Sequence, residues 1–387
     1  MIAIMEIAFW FFIFLILYTY VFYYVVLLFL ASVIPKRRER NDRYRPSISF
    51  VIAAYNEKKV IEAKIRNCLS LKYPKSKLEF VFGSDHSSDK TDIIIRRFVK
   101  KYPQVKLFAF KKRVGKAGVL NKIVPRARGD LLVFSDANTM YRADSLRRMV
   151  SHFADPAVGG VCGKLVLINP NRNAGGTGEY IYWDYENRIK YLEGKIKTVF
   201  GATGGIYAIR KNLFQKLPEH KTNISDDFLI PMKIVEQGFD VIYDQHAIAQ
   251  EYASLTMKDE YSRKVRIGAA NVFALRKIKS LLSPMHGFVA FGLWSHKIIR
   301  WAVPFLLVML FIANSFLLRE RFYSGFFILQ SIFYILGCLG WICDRLGLRI
   351  RLFSLFYYFI SINLALCIGY YQYLSRTAQP TWARLER

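Results

Sequence analysis

Acidic side chains at the ends of short apolar runs are the first chemistry this sequence offers. Glu57 follows ISFVIAAYN, Asp85 follows LEFVFGS and Asp136 follows DLLVFS, and the pair Asp226-Asp227 stands further along the chain. One such acid is commonly a turn or helix-capping residue, and Asp85 and Asp89, flanked by Ser87, Ser88 and Thr91, are open to that reading. Several of them at one edge of one sheet make instead a polar site for a hydroxyl-rich or metal-bound ligand. Other catalytic arrangements are excluded. There is no Gly-x-Ser-x-Gly turn and no Cys–His context, and Gly115-Lys116 lacks the preceding glycine and following Ser/Thr of a Walker loop. Adjacent Asp226 and Asp227 point to different sides of a helix start. Only one of them can face such a ligand, and the other is free to cap the helix running to Gln237.

The elements that position these acids follow from the apolar pattern. Segments 48–54, 78–83, 105–110 and 130–134 read as buried strands, and 57–71, 90–101, 116–127 and 143–153 as helices. Strand–helix alternation predicts an α/β domain with a parallel sheet covered on both faces, which binds ligands at the carboxyl ends of its strands.

Charge and hydropathy place this domain. The chain of 387 residues carries 57 Lys+Arg against 29 Asp+Glu, a formal charge of +28, yet 53% of it is apolar. That much apolar sequence excludes disorder. Five scattered cysteines, with no Cys-x-x-Cys and no His at zinc spacing, exclude a disulfide scaffold or zinc module. Residues 7–34 are an uncharged run of 28, longer than the roughly 20 needed to cross a bilayer. Without a basic leader or a small-x-small site it does not read as a signal peptide. Three further apolar runs, 301–318, 322–343 and 352–374, predict about four transmembrane helices, one N-terminal and three C-terminal. Lys36-Arg37-Arg38-Glu39-Arg40 marks the cytoplasmic side of the first span, so a domain of roughly 250 residues faces the cytoplasm of a multi-pass plasma-membrane protein. The excess positive charge then points to anionic membrane lipids. No nucleic-acid partner is expected, because the basic residues lack aromatic interleaving or a recognised module, and nucleic-acid binding stays only a remote alternative. Segments 179–192 and 261–282 read as amphipathic helices along a membrane surface, the first equally as a helix packed on the sheet. The predicted division is a first span over 1–35, the α/β domain over 36–258, interfacial helices over 259–296, C-terminal spans over 297–375 and a tail over 376–387. With the N-terminus outside, this puts Arg376, Arg384 and Arg387 outside too, against the positive-inside tendency.

The ordered set AAYNE (53–57), GSDHSSDKT (83–91), GKAGVLN (115–121), SDANT (135–139), GATGGIYAIR (201–210), SDDF (225–228), RKVR (263–266) and SHKIIRW (295–301) resembles the membrane-bound family 2 glycosyltransferases, which include cellulose, chitin and hyaluronan synthases. The resemblance covers roughly residues 46–305. It implies a GT-A, Rossmann-like domain and inverting transfer of a sugar from a nucleotide-sugar, with a UDP-sugar expected as donor. The acceptor it implies is a growing polysaccharide or glycolipid, or a single polyprenyl-phosphate or other lipid. A non-catalytic sugar-nucleotide-binding membrane protein is the remaining alternative. On the family pattern Ala53, Tyr55, Glu57, Asp85, Lys116, Asp136 and Arg263 bind the nucleotide, and Gly201, Ala202, Thr203, Gly204 and Gly205 line the acceptor approach. Asp227, with Asp226 beside it, supplies the general base, and Arg266 clamps the pyrophosphate. Asp136 and Asn138 hold Mg²⁺ or Mn²⁺ where the family has Asp-x-Asp, and Asn138 departs from that pattern. Some relatives place a metal-binding His near His246, whose simpler role is a hydrogen-bonded turn. Arg263 and Ile267 stand where the family has the Gln and Trp of Gln-x-x-Arg-Trp. His296 and Arg300 sit at the membrane edge, as anchors or as contacts to a lipid phosphate or the acceptor.

Overall fold

The computed structural model describes residues 1–168, 174–218, 224–252, 256–348 and 350–377. Helices α1 (Ile2–Leu17) and α2 (Tyr23–Val33), joined by a π-helical turn, form one apolar rod over Ile2–Val33. The α/β domain follows: β1 (Ile48–Ala54), α3 (Ile61–Leu69), β2 (Leu78–Ser84), α4 (Thr91–Lys101), β3 (Val105–Ala109), α5 (Gly115–Ile123), β4 (Leu131–Asp136), β5 (Met140–Tyr141), α6 (Ser145–Ser151), β6 (Val158–Ile168), α7 (Ala174–Ile196), β7 (Tyr207–Arg210), α8 (Asp226–Glu236) and β8 (Asp240–Tyr252). The chain closes with α9 (Met257–Lys277), α10 (Phe288–Gly292), α11 (Ile299–Ser315), α12 (Arg321–Arg345) and α13 (Arg351–Leu374).

The four strands read from sequence form within a residue or two of their expected bounds; β1, β2 and β4 are apolar runs buried on both faces, every residue of ISFVIAA among them, while β3 is a half-buried edge strand. The sheet has eight strands in the order β3-β2-β1-β4-β7-β6-β8-β5. It is mixed rather than parallel: β7 runs antiparallel to both β4 and β6. The long α7 and the Gly-rich segment 201–205 return the chain to the sheet end at which β6 finished, so β7 runs in reverse. Strand order turns at β1 and β4, whose register pairs Ala53 with Asp136. A crevice opens where the order reverses.

Four helical segments are long and apolar enough to cross a membrane: Ile2–Val33, Phe288–Ser315, Arg321–Arg345 and Leu352–Leu374. The second begins at Phe288, so the expected boundary at 296/297 falls inside it. Pro284 and Gly287, the latter at φ +52, end the preceding turn and set this start. Neither amphipathic helix lies free along a surface. Ile189, Leu192 and Ile196 of α7 pack on Tyr23, Leu27 and Ala31 of α2. Helix α9 meets α13 at Gly268 and Gly369, where a methyl on Gly369 would fall 2.1 Å from the Val265 carbonyl oxygen. The basic stretch after the first span is partly committed to the domain, since Asp240 accepts from Lys36 Nζ at 2.6 Å and Arg38 Nη1 at 2.8 Å. Of the tail over 376–387, Arg384 and Arg387 lie outside the described residues.

Candidate active site at the sheet switch point

The crevice beside β1 and β4 deepens into a cleft of about 380 Å³. One wall comes from strand ends and α5, the other from the segment 201–205 and the start of α8, and the membrane side from α7, α9 and α11. Ala53, Glu57, Lys116, Asp136, Asn138, Gly201 through Gly205, Asp226, Asp227, Arg263 and Arg266 all line it.

Tyr55 and Asp85 are not among its lining residues. Asp85 is fully buried, accepting from the Val114 N–H at 2.7 Å and the Gly115 N–H at 3.1 Å. It fixes the turn, with Gly115 at φ +76, from which Lys116 projects. The Tyr55 ring lies under the Arg113 guanidinium at 3.7 Å. Asn56, at φ +54, accepts from the Ser88 N–H at 2.8 Å, and the Thr91 hydroxyl accepts from the Glu57 N–H at 2.8 Å. These bonds lock the first two motifs together. Asp89 accepts from the Thr91 N–H at 2.9 Å, the turn role open to it from sequence.

Lys116 Nζ lies 2.9 Å from Asp136 Oδ1 and 3.0 Å from Asp226 Oδ1. Burial opposes its charge, but Asp136 and Asp226 outweigh burial and hold the ammonium well above the ordinary lysine range. Asp226 also accepts from the Tyr207 hydroxyl at 3.0 Å. Burial lifts its carboxyl to about 6, Lys116 pulling down and Asp227 pushing up. The helix-capping role expected for Asp226 is therefore replaced. Its side chain turns inward to the ammonium, and Ser225 takes the N-cap position.

Asp227 faces the other way. Its Oδ1 accepts from Ser225 Oγ at 2.6 Å, and its carbonyl accepts from the Ala202 N–H at 2.7 Å. A Cβ on Gly204 would come within 3.0 Å of Asp227 Oδ2, so the glycine gives this carboxylate room to lie against that wall. Lys190 of α7 holds the wall from behind, donating to the Ala202 carbonyl at 3.2 Å and the Thr203 hydroxyl at 3.0 Å.

On the membrane side, Arg263 donates to Glu260 at 2.8 Å. Burial would raise the Glu260 carboxyl, but Arg263 and Lys264 bring it down to about 2. Arg263 is thereby paired within α9, while Arg266 and Ile267 border the cleft. Trp301 of α11 also borders it, packed edge-on to Phe228 at 5.4 Å. His296 is fully buried. Its Nδ1 lies 2.6 Å from Glu193 and its Nε2 3.0 Å from Glu186, which also accepts from Lys297 at 2.8 Å and Arg300 at 3.0 Å. His296 and Arg300 thus tie α7 to the second span rather than snorkel. His246 is exposed and takes the turn role, its N–H on Asp244 Oδ1 at 2.8 Å.

No cluster of three acidic, His or Cys side chains able to hold a metal occurs among the described residues. A hard cation at a diphosphate is nonetheless commonly held by one or two protein oxygens plus phosphate and water. Asp136 and Asn138 fit that pattern, because the Asn138 amide nitrogen is occupied by Glu251 at 2.9 Å, leaving its oxygen as the end able to ligate.

Sequence reasoning passed over Glu251 and Lys64. Glu251 is another acid near a strand end, behind Ala247-Ile248-Ala249, and that signal was readable. Lys64 lies on the apolar stripe of α3, with Ile61, Ile65 and Cys68, where a charge without a buried partner would not be tolerated.

Residues 49–217 match the family described as Glycosyl transferase family 2. The probable glycosyltransferase YdaM of Bacillus subtilis is 28% identical over 257 residues, which is 63% of this chain and 59% of that protein. A beta-monoglucosyldiacylglycerol synthase of Synechocystis sp. is 31% identical over 194 residues, 49% of this chain and 40% of that one. The poly-beta-1,6-N-acetyl-D-glucosamine synthase of Staphylococcus aureus is 26% identical over 237 residues, 60% of this chain and 56% of that one. The chain therefore spans less than two thirds of the length of these curated relatives. Among solved structures, the mannosyltransferase PcManGT of Pyrobaculum calidifontis, in complex with GDP-Man and Mn²⁺, superposes with a TM-score of 0.74 at 20% identity, over 96% of this chain and 99% of that one. At that identity the likeness is one of fold.

Proposed function

We propose that this chain, which belongs to glycosyltransferase family 2, is an inverting enzyme that moves a sugar from a nucleotide-sugar to a polysaccharide or glycolipid acceptor at the cytoplasmic membrane face. The observation that carries this reading is the division of labour between neighbouring carboxylates. Asp226 is bound to Lys116 on the donor wall, while Asp227 lies on the acceptor wall against Gly204.

In this reading the nucleotide occupies the strand ends, with its diphosphate near Lys116 and Arg266. The acceptor comes from the membrane side, past Trp301. Its hydroxyl oxygen attacks the anomeric carbon from the face opposite the diphosphate, Asp227 takes the hydroxyl proton, and the nucleoside diphosphate departs with the bonding pair. Ser225 orients the Asp227 carboxylate for this. Arg266 stabilises the charge growing on the leaving group, its planar fork suiting phosphate oxygens. Mg²⁺ or Mn²⁺ held by Asp136 and Asn138 would neutralise further diphosphate charge. The relatives' printed names span both kinds of product, a glucosyldiacylglycerol and a poly-N-acetylglucosamine. A single transfer to a polyprenyl phosphate or other lipid uses the same carboxylate and differs only in what enters past Trp301.

The test incubates membranes containing the protein with a panel of radiolabelled nucleotide-sugars and separates polymer from organic-extractable product. One labelled product is expected, abolished by Asp136→Ala and by excess chelator. Absence of any product across the panel, with donor binding retained, favours a binding protein over an enzyme.

A further inference from the structure

Asn138 stands at the end of β4 where the family pattern has a second acid, and the structure offers a reason. An amide has two ends, and only its oxygen can ligate a cation. Which end faces the cleft is decided by the partner of the other. Here Asn138 Nδ2 donates to Glu251 Oε1 at 2.9 Å. Both Glu251 oxygens accept here, one from this amide and the other from the Thr139 hydroxyl, so Glu251 takes the nitrogen end of the amide.

Glu251 is itself held in place. Its Oε2 accepts from the Thr139 hydroxyl at 3.0 Å. The short ladder pairing Met140 with Gln250 and Tyr141 with Ala249 brings the end of β8 alongside this turn. Beneath the turn, fully buried Lys64 donates to the Thr139 carbonyl and, at 2.7 Å, to the Ser135 hydroxyl. Asp136, Glu251, Lys64 and Lys116 thus gather around a turn whose exposed edge lines the cleft.

We propose that Glu251 is a positioning residue for the cation site: by taking the Asn138 amide hydrogen it aims Asn138 Oδ1 into the cleft as a cation ligand. Asn138 and Glu251 are then a matched pair. The negative charge that Asp-x-Asp carries on its second residue sits here one residue further from the cation. An Asp at 138 alone would set two carboxylates at the 2.9 Å separation the amide now spans, and like charges so close oppose each other. The inference rests on the cation-assisted reading of the function.

The experiment titrates the detergent-solubilised full chain with Mn²⁺ alone, then with UDP and with GDP present, following loss of the free-ion signal by electron paramagnetic resonance. Glu251→Gln is expected to weaken Mn²⁺ binding about 10- to 100-fold, the usual scale for a group that orients a ligand. Asn138→Ala should weaken it comparably, and Asn138→Ala/Glu251→Gln should be no weaker than Asn138→Ala, because Glu251 acts through Asn138. Asn138→Asp/Glu251→Gln should regain binding, since a carboxylate has no wrong end. Full Mn²⁺ binding by Glu251→Gln overturns the inference. So does additivity in the double variant, which would make Glu251 a ligand in its own right. Binding lost in both Glu251→Gln and Asn138→Asp/Glu251→Gln, with a lowered melting temperature, reduces Glu251 to a structural residue and overturns it too. Wild-type protein binding no Mn²⁺ in any of the three conditions removes the cation reading itself, and the inference with it.

Discussion

On the donor wall of the cleft, Lys116 bridges Asp136 and Asp226 at 2.9 and 3.0 Å, and Asp85 pins the turn that carries the lysine. Across the cleft, Asp227 lies against Gly204 with a serine hydroxyl on its carboxylate. The donor wall sets one ammonium from α5 between carboxylates from the end of β4 and the start of α8. The acceptor wall is a glycine-rich segment braced by Lys190 from α7, which is packed on the first span and tied to the second through Glu186, Glu193 and His296. On the proposed reading, a leaving diphosphate would find its countercharge in Lys116 on α5 and Arg266 on α9, and an acceptor arriving from the membrane would meet a wall held by the membrane helices.

The sharpest break in this contrast is Asp227→Asn. The amide keeps shape but takes no proton at neutral pH, so transfer should fall about 10²- to 10⁴-fold with donor affinity nearly unchanged. Calorimetry of nucleotide binding beside a product assay reads both. Asp227→Asn active with Asp226→Asn dead would exchange the roles of the two walls.

Arg266→Ala comes next. A contact that strengthens as the diphosphate leaves should appear mainly in kcat, with a loss of roughly 30- to 1,000-fold, or about 2–4 kcal/mol. A near-normal kcat with only a raised donor KM would assign Arg266 to ground-state binding.

Asp226 gives the donor wall a pH signature. Its carboxyl is lifted to about 6, against about 3.9 for an unfolded Asp. A raised carboxyl contributes stability below about pH 4 and loses it as pH rises through 6, the folded state binding more protons in that window. Melting temperature should therefore fall from pH 4 to 7 more in the wild type than in Asp226→Asn. The wild-type kcat should drop below pH 6, where protonated Asp226 no longer balances Lys116. The Asn variant should lack that inflection and lose about tenfold in rate at pH 7.5, equivalent to about 1.4 kcal/mol. Identical pH profiles for the two proteins would show that the Lys116–Asp226 contact is not felt during turnover.

The same contrast governs what could be read from sequence. The donor wall was legible because continuous apolar runs and strand-end acids are local signals: Ala53 and Asp136 stand at the ends of two such runs, and strand pairing brings them together. The family resemblance supplied the order of motifs on the acceptor wall but not its support. Nothing near Lys190 announces a contact with Thr203, and nothing near Glu186 announces Lys297 and Arg300, because these partners meet only through tertiary packing. Antiparallel β7 was missed for a related reason, since a four-residue strand has no pattern that reveals its direction. Asp226 was misread because a helix start offers a local capping role, and the competing partner, Lys116, lies more than a hundred residues away in sequence.

The smallest effect tests whether the acceptor wall extends into the second span. Ile267 stands where the resembling family has the Trp of Gln-x-x-Arg-Trp, and an aliphatic side chain offers no ring face. Trp301 borders the same cleft from α11, steadied by Phe228 of α8, the residue after Asp227. If the ring supports the incoming acceptor, Trp301→Ala should raise the acceptor KM about 2- to 10-fold, the scale of one aromatic contact of roughly 0.5–1.5 kcal/mol, and leave donor affinity alone. Trp301→Phe should recover most of the loss, since a smaller ring still presents a face. Ile267→Trp in the Trp301→Ala background is the complementary arm: restoring the acceptor KM from α9 would show that the platform can be supplied from either helix. An unchanged acceptor KM in Trp301→Ala would confine the acceptor wall to residues 201–205 and Asp227, with the second span serving only to hold it.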